Sequence, residues 1–273
     1  MNELGFNNEY EELKRKFNIL KSQVSDKIEL HQYLVENVGP DLKARYMVGI
    51  GQYEHRIFEL MNDINRWKRR FVLRQQALNR GGIPDYADIE IKLDQEFAEY
   101  IAEVNRHLED LKAAAFFCNA DRLSEKDATA MRYAYLNAVK KLHPDINPKL
   151  PDSAAKLWNK IQQAYHDKDW AQMRVLTSLV DTVVTGADEF DCSLDGIEAL
   201  KAACRHLEEQ CENLADRTAR LRSQPPFTYE EQLEDEKWVM ERQSLLQEKI
   251  AILENKIKEY EEHWNYVKRN SAD

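Results

Sequence analysis

Residues 46–78 read YMVGIGQYEHRIFELMNDINRWKRRFVLRQQAL. Tyr46, Ile50, Tyr53, Ile57, Leu60, Ile64, Trp67, Phe71 and Leu78 recur at steps of four and three, with one polar interruption at Arg74. In an α-helix those steps return side chains to one face. A stripe this narrow, flanked by Arg, Lys, Glu and Asp, suits a coiled-coil seam better than the broad face of a globular core helix. Gly49 and Gly51 weaken the first turns, and Gly81-Gly82-Ile83-Pro84-Asp85 ends the run.

The same pattern extends in both directions. From Asn8 to Val38 the stripe is Tyr10, Leu13, Phe17, Leu20, Val24, Ile28 and Leu34, and Gly39-Pro40 is predicted to break that helix. From Tyr86 to Phe116 it is Leu93, Phe97, Tyr100, Val104, Leu108 and Leu111. Short connections make chain neighbours antiparallel, so residues 1–118 are expected to form an N-terminal long-helix bundle. Near the other end, Ile197, Leu200, Cys204, Leu207, Cys211, Leu214 and Leu221 keep the count, with Thr218 as the polar step. Ser223-Gln224-Pro225-Pro226-Phe227 is a stop, and Thr228 with Glu231 reads as a capping box. Val239, Leu246, Ile250, Leu253, Ile257, Tyr260, Trp264 and Val267 carry the return. Residues 187–273 are therefore expected to form an antiparallel coiled-coil hairpin, and the fold class is all-α.

Composition agrees. Only 8 Gly and 7 Pro occur in 273 residues, about half of average usage, far fewer than turn-rich β or α/β folds spend. The net charge of −10 argues against binding nucleic acid or an anionic membrane, whose own charge would repel the chain. No apolar run is long enough to cross a bilayer, and MNELGFNNEYEELKRKF carries no secretory h-region, so a cytoplasmic location is expected. Cys118, Cys192, Cys204 and Cys211 lack CxxC spacing; buried seam thiols fit better than a zinc site. The scattered His31, His55, His107, His166, His206 and His263 fit surface or seam positions better than metal ligands.

Residues 119–186 form a different kind of segment. The heptads stop, Ser124 with Asp127 opens a helix over 125–142, and the proline-rich stretch HPDINPKLP follows at 143–151. Asp152 or Ser153 caps the next element through Tyr165, and Asp167 or Lys168 begins another, Trp170 to Val184. Pro144 disfavours helical backbone at His143, so the first helix ends near Leu142, with Lys140 and Lys141 on its last turn, where cations suit the helix dipole. His143 and Asp145 are then predicted to project from a stiff loop. There is no nucleophile, metal set or phosphate-cradling glycine loop, so no enzyme activity, catalytic residue, metal or cofactor is expected.

Residues 125–166 resemble the J-domain of DnaJ-type co-chaperones. Ala134-Tyr135, Lys141, His143-Pro144-Asp145 and Asn147-Pro148 stand where that family carries its motif, and Trp158, Ile161 and Ala164-Tyr165 match the helix that follows it. The family's Tyr-x-x-Leu-Gly first helix is absent upstream, so Ala113, Phe116 and Phe117, or the segment to Leu123, are candidates for its packing surface. Leu136, Asn137 and Ile146 stand where the family carries cations. Residues 124–168 still hold eight basic against five acidic side chains, a local net of +3. The resemblance implies a co-chaperone that recruits a DnaK-type chaperone and stimulates its ATPase. In that role His143, Pro144 and Asp145 make the switching contact, and Arg132, Lys140 and Lys141 the electrostatic one. The coiled-coil arms are expected to hold a client or complex, and their seams could close within one chain or in a homo-oligomer. The alternative is a coiled-coil scaffold whose J-like unit does not stimulate the ATPase.

Overall fold

The computed structural model describes residues 3–119, 123–184 and 193–269. In chain order the helices are α1 (Glu3–Tyr33), α2 (Gly39–Tyr46), α3 (Gln52–Asn79), α4 (Tyr86–Glu96), α5 (Ala98–Asn119), α6 (Glu125–Leu142), α7 (Asp152–His166), α8 (Trp170–Ser178), α9 (Val180–Val183), α10 (Leu194–Arg222), α11 (Glu230–Glu234) and α12 (Glu236–Arg269). No strand occurs among the described residues, so the chain is all-α. None of these helices is long and apolar enough to cross a membrane.

The chain forms two compact units, and neither is continuous in sequence. One comprises Met1–Pro40 and Asp121–Phe227, the other Asp41–Ala120 and Thr228–Asp273. This grouping differs from the expected succession of 1–118, 119–186 and 187–273. The long helices of the C-terminal region each pack with one long helix of the N-terminal region: α10 with α1, and α12 with α3.

Both pairs are parallel, which corrects the expected antiparallel hairpin. Along α1 and α10 the partners rise together: Glu9 with Lys201 at 2.8 Å, Lys16 with Glu208 at 2.7 Å, and His31 Nδ1 with Thr218 Oγ1 at 3.3 Å. Along α12 and α3 with the π-turn Met47–Gly51 that precedes it, Gln243 donates to the Gly49 carbonyl at 2.9 Å, Arg56 pairs with Glu254 at 3.0 Å, and the Trp67 and Trp264 rings meet at 6.3 Å. The seam residues themselves are largely those read from the heptads. Tyr10, Phe17, Leu20, Val24 and Ile28 of α1, and Ile197, Leu200, Cys204, Leu207 and Leu214 of α10, are buried in one core. Thr218, the polar step of α10, meets His31 of α1.

The predicted break at Gly39-Pro40 does not occur. Proline has no N–H for the carbonyl four residues back, and its ring crowds that carbonyl. Leu34–Val38 widens into a π-turn that accommodates both problems, with the Gly39 N–H donating to the Leu34 carbonyl five residues back. Gly39 itself is helical; a Cβ there would lie 3.2 Å from that carbonyl and 3.2 Å from the Phe227 ring. The glycine serves close approach of Phe227, not helix termination.

In the second unit Asp85 caps α4 by accepting from the Ala87 and Asp88 N–H groups. The expected single helix over 86–116 is split at Phe97, whose φ of −100° and ψ of 4° are not helical. Arg66 and Arg70 of α3 pair with Glu90 of α4, and Arg69 with Glu96. Leu73 joins Ile89 and Leu93 in a small core, while Leu78 is exposed. The Thr228–Glu231 capping box is replaced by Asp235, which accepts from the Lys237 and Trp238 N–H groups.

α6 to α9 belong to the same core as α1 and α10. Met131, Tyr135, Val139 and Leu142 of α6, Trp158, Ile161 and Ala164 of α7, and Met173 of α8 are all buried there. Phe116 and Phe117 are exposed and do not provide the missing packing surface, whereas Leu123 lies against this core. Trp158→Ala removes a large buried aromatic and is expected to cost roughly 3–5 kcal/mol. Because the core is shared, hydrogen exchange should show lost protection in α1 and α10 as well as in α6 to α8, with α3 and α12 unchanged. Loss confined to α6 and α7 would contradict a single core.

Candidate functional site

Ser124 Oγ accepts from the Asp127 N–H and starts α6 where expected. Its last turn ends at His143, whose backbone is extended, as a residue before proline requires. The loop then folds back on itself. The Ile146 and Asn147 N–H groups both donate to the His143 carbonyl, at 3.1 and 2.9 Å. Asn147 is buried, and its side-chain amide donates to the Lys140 carbonyl at 3.0 Å, closing the C-terminal end of α6. Ile146 is 2% exposed and belongs to the same core as Leu142 and Ala154. Its side chain anchors the loop, which gives a packing reason for an apolar residue after the tripeptide.

His143 does not project freely. Its side chain is only 16% exposed and its ring sits edge-on to Trp158 with centroids 5.3 Å apart. Nδ1 accepts the Asp145 N–H at 3.2 Å, so the neutral ring carries its proton on Nε2. Burial pushes the imidazole pKa below its usual value, and the nearby Asp145 carboxylate offsets part of that shift. Pro144 and Asp145 are the exposed members of the tripeptide, with the Asp145 side chain 50% exposed.

The three cations expected to form a free electrostatic face are paired within the chain. Arg132 Nε and Nη2 donate to both oxygens of Glu29, at 2.5 and 3.0 Å, while its guanidinium lies over the Tyr33 ring at 4.2 Å. Lys140 meets Asp26 at 3.8 Å, and Lys141 is bonded to Asp181. Lys140 and Lys141 stand beside the loop, whereas Arg132 is more than two turns away and faces α1. Asp26 and Glu29, three apart on α1, form one acidic edge along α6. The sequence shows that spacing, but not which helix it would meet.

Further residues emerge near this region. Tyr135 stacks on Tyr165 at 4.1 Å, and Asn37 donates to the Tyr165 hydroxyl at 3.4 Å. Lys168 Nζ donates to the Glu36 carbonyl at 3.1 Å and to Asn37 Oδ1 at 2.5 Å. Lys168 is the one non-glycine residue with positive φ among those described, at +57°. Among the described residues no group of three or more His, Cys, Asp or Glu side chains could hold a metal ion. Cys204 is buried in the α1–α10 seam; Cys192 lies outside the described residues.

Two outcomes follow from these environments. Glu29 is 6% exposed at its side chain and Arg132 43%, so loss of the arginine strands a buried carboxylate, while loss of the carboxylate leaves a guanidinium that reaches water. Arg132→Met is expected to cost about 2–3 kcal/mol, below the fully buried range, and Glu29→Gln about 1 kcal/mol. Urea unfolding of both variants checks the asymmetry, and equal costs would contradict it. The His143 ring has a folded pKa below its unfolded value of about 6.5. Its contribution to stability is therefore full above that pH and is lost as pH falls from there to the lowered folded pKa. An NMR titration of the His143 ring should give a midpoint below 6.5, and His143→Gln should flatten the stability profile in that window.

No family model matches the chain. Comparison with curated proteins and comparison with solved structures likewise return no match.

Proposed function

We propose that the chain is a J-domain-type adaptor that docks a DnaK-type chaperone at the His143–Asp145 loop and stimulates its ATPase. The observation that carries this reading is the built loop between α6 and α7. Asn147 closes α6, Ile146 pins the loop to the core, and the His143 ring is held between Trp158 and the Asp145 N–H. This leaves Pro144 and Asp145 outward on a stiff base. A preorganised polar tip loses little conformational freedom on binding. The coiled-coil pairs α1–α10 and α3–α12 are then the surfaces for a client or complex, and cytoplasmic placement remains part of the proposal. No step of the reading calls on a cofactor.

A second reading, a scaffold that keeps the fold without ATPase stimulation, is favoured by one specific observation. Arg132, Lys140 and Lys141 already have internal carboxylates in Glu29, Asp26 and Asp181. Charges neutralised within the chain steer a partner weakly.

Asp145→Asn separates the two readings more cleanly than His143→Gln, because His143 also packs on Trp158. The expected result is loss of chaperone ATPase stimulation by Asp145→Asn, with stability changed by no more than about 0.5 kcal/mol. A steady-state ATPase assay and a thermal melt check this. A wild-type chain that gives no stimulation, or a variant that stimulates fully, would overturn the co-chaperone reading.

A further inference from the structure

A cleft of about 590 Å³ opens in the first unit between the end of α1, the first half of α6 and the end of α7. Its volume is in the range of small-ligand sites. Leu123, Met131 and Leu136 give it an apolar side, and its charged lining comprises Arg132 and Lys168 with the carboxylates of Glu29 and Glu125. The two cations are not equivalent. Arg132 spends its charge on both oxygens of Glu29. Lys168 has three N–H donors; two go to neutral oxygens, the Glu36 carbonyl and Asn37 Oδ1, and Nζ also lies 5.3 Å from the Tyr165 ring centroid. Among the described residues its ammonium has no carboxylate within ion-pair distance.

The backbone explains how Lys168 reaches this position. Lys168 ends α7 in the left-handed conformation, a position that glycine usually fills. The Asp169 N–H donates to the Ala164 carbonyl at 3.0 Å, so the turn is the closure of α7 itself. Here it brings a half-buried cation to the edge of an apolar cleft. Burial also lowers the lysine pKa, opposed by the Glu36 carboxylate, so an anion beside Nζ would stabilise the charged form.

We propose that this cleft binds a small monocarboxylate with an apolar body, the carboxylate on Lys168 Nζ and the hydrocarbon part against Leu123, Met131 and Leu136. The inference is independent of chaperone docking. The same chemistry is carried by the free C-terminus of an apolar-ended peptide, and the test separates the two sources.

Octanoate and 3-phenylpropionate, with octanamide as the neutral control, are titrated into the full chain by calorimetry and by NMR of the lysine ε-methylene groups. Binding of either acid is expected, with octanamide at least about tenfold weaker than octanoate. Lys168→Gln, which keeps a donor but removes the charge, should lose about tenfold or more in affinity, while Lys168→Arg stays within about threefold of wild type. If Lys168→Gln fails to fold, the octanoate and octanamide comparison and the arginine variant still decide. Equal binding of acid and amide, undiminished binding by a folded Lys168→Gln variant, or no response to either acid at about 10 mM would overturn the proposal. A tetrapeptide ending in Phe-Leu is run with a free and with an amidated terminus. Binding of the free-ended peptide in place of the small acids would overturn the small-molecule assignment.

Discussion

A single apolar core joins the stripe of α1 to the seam of α10 and to the buried faces of α6, α7 and α8, and the first unit depends on it. The segment 125–166 is too short to enclose Tyr135, Trp158, Ile161 and Tyr165 by itself; a pair of short helices leaves at least one side of such a core in water. α8 covers part of it through Met173 and Leu176, and α1 runs along α6. Glu29, the one acidic side chain among the described residues that is buried, is tolerable in that contact because Arg132 meets both its oxygens. A buried pair of this kind adds little stability compared with an apolar contact, but it penalises any register that separates the two charges. The middle unit is therefore built on helices from both distant parts of the chain.

Heptad positions were legible in the sequence, and the partners of the helices were not. An apolar stripe specifies a face, and any second stripe of similar width can cover it. The expectation of a hairpin came from the rule that short connections join antiparallel neighbours, which says nothing when the true partner lies about 190 residues away. Orientation is carried by the flanking charges and the polar steps. Glu9 with Lys201, Lys16 with Glu208, and His31 with Thr218 fit one parallel register, as do Glu54 with Arg242 and Arg56 with Glu254 in the second unit. Exposed pairs contribute at most about 1 kcal/mol each. They select among seams of similar strength and do not create them.

The candidate site divides in the same way. Local chemistry predicted the Ser124 cap and the end of α6 before Pro144, since each depends on neighbours within a turn or two. Pairing of the cations and burial of His143 depend on long-range packing, and there the fold differs from the expectation: Arg132, Lys140 and Lys141 stay partly exposed but each meets a carboxylate. The lysines look free on an isolated helix. Asp26 and Asp181, from elements distant in sequence, meet them in the fold. His143 looks like a projecting tip until the loop closes over Ile146 and brings the ring to Trp158.

Pro40 shows how one misread local signal reaches the site. Read alone, Gly39-Pro40 is a stop. In the fold the missing proline N–H is met by a π-turn at Leu34–Val38, which keeps the backbone helical and turns Glu36 and Asn37 toward the end of α7. The Glu36 carbonyl, four residues before the proline, receives the Lys168 ammonium instead of a Pro40 N–H. Lys168, at the left-handed close of α7, reaches it and links two segments about 130 residues apart. The same link sets a cation at the edge of the cleft. The loss of one backbone donor at residue 40 thus leaves a carbonyl for the Lys168 ammonium, and part of the polar side of the cleft is built from that bond.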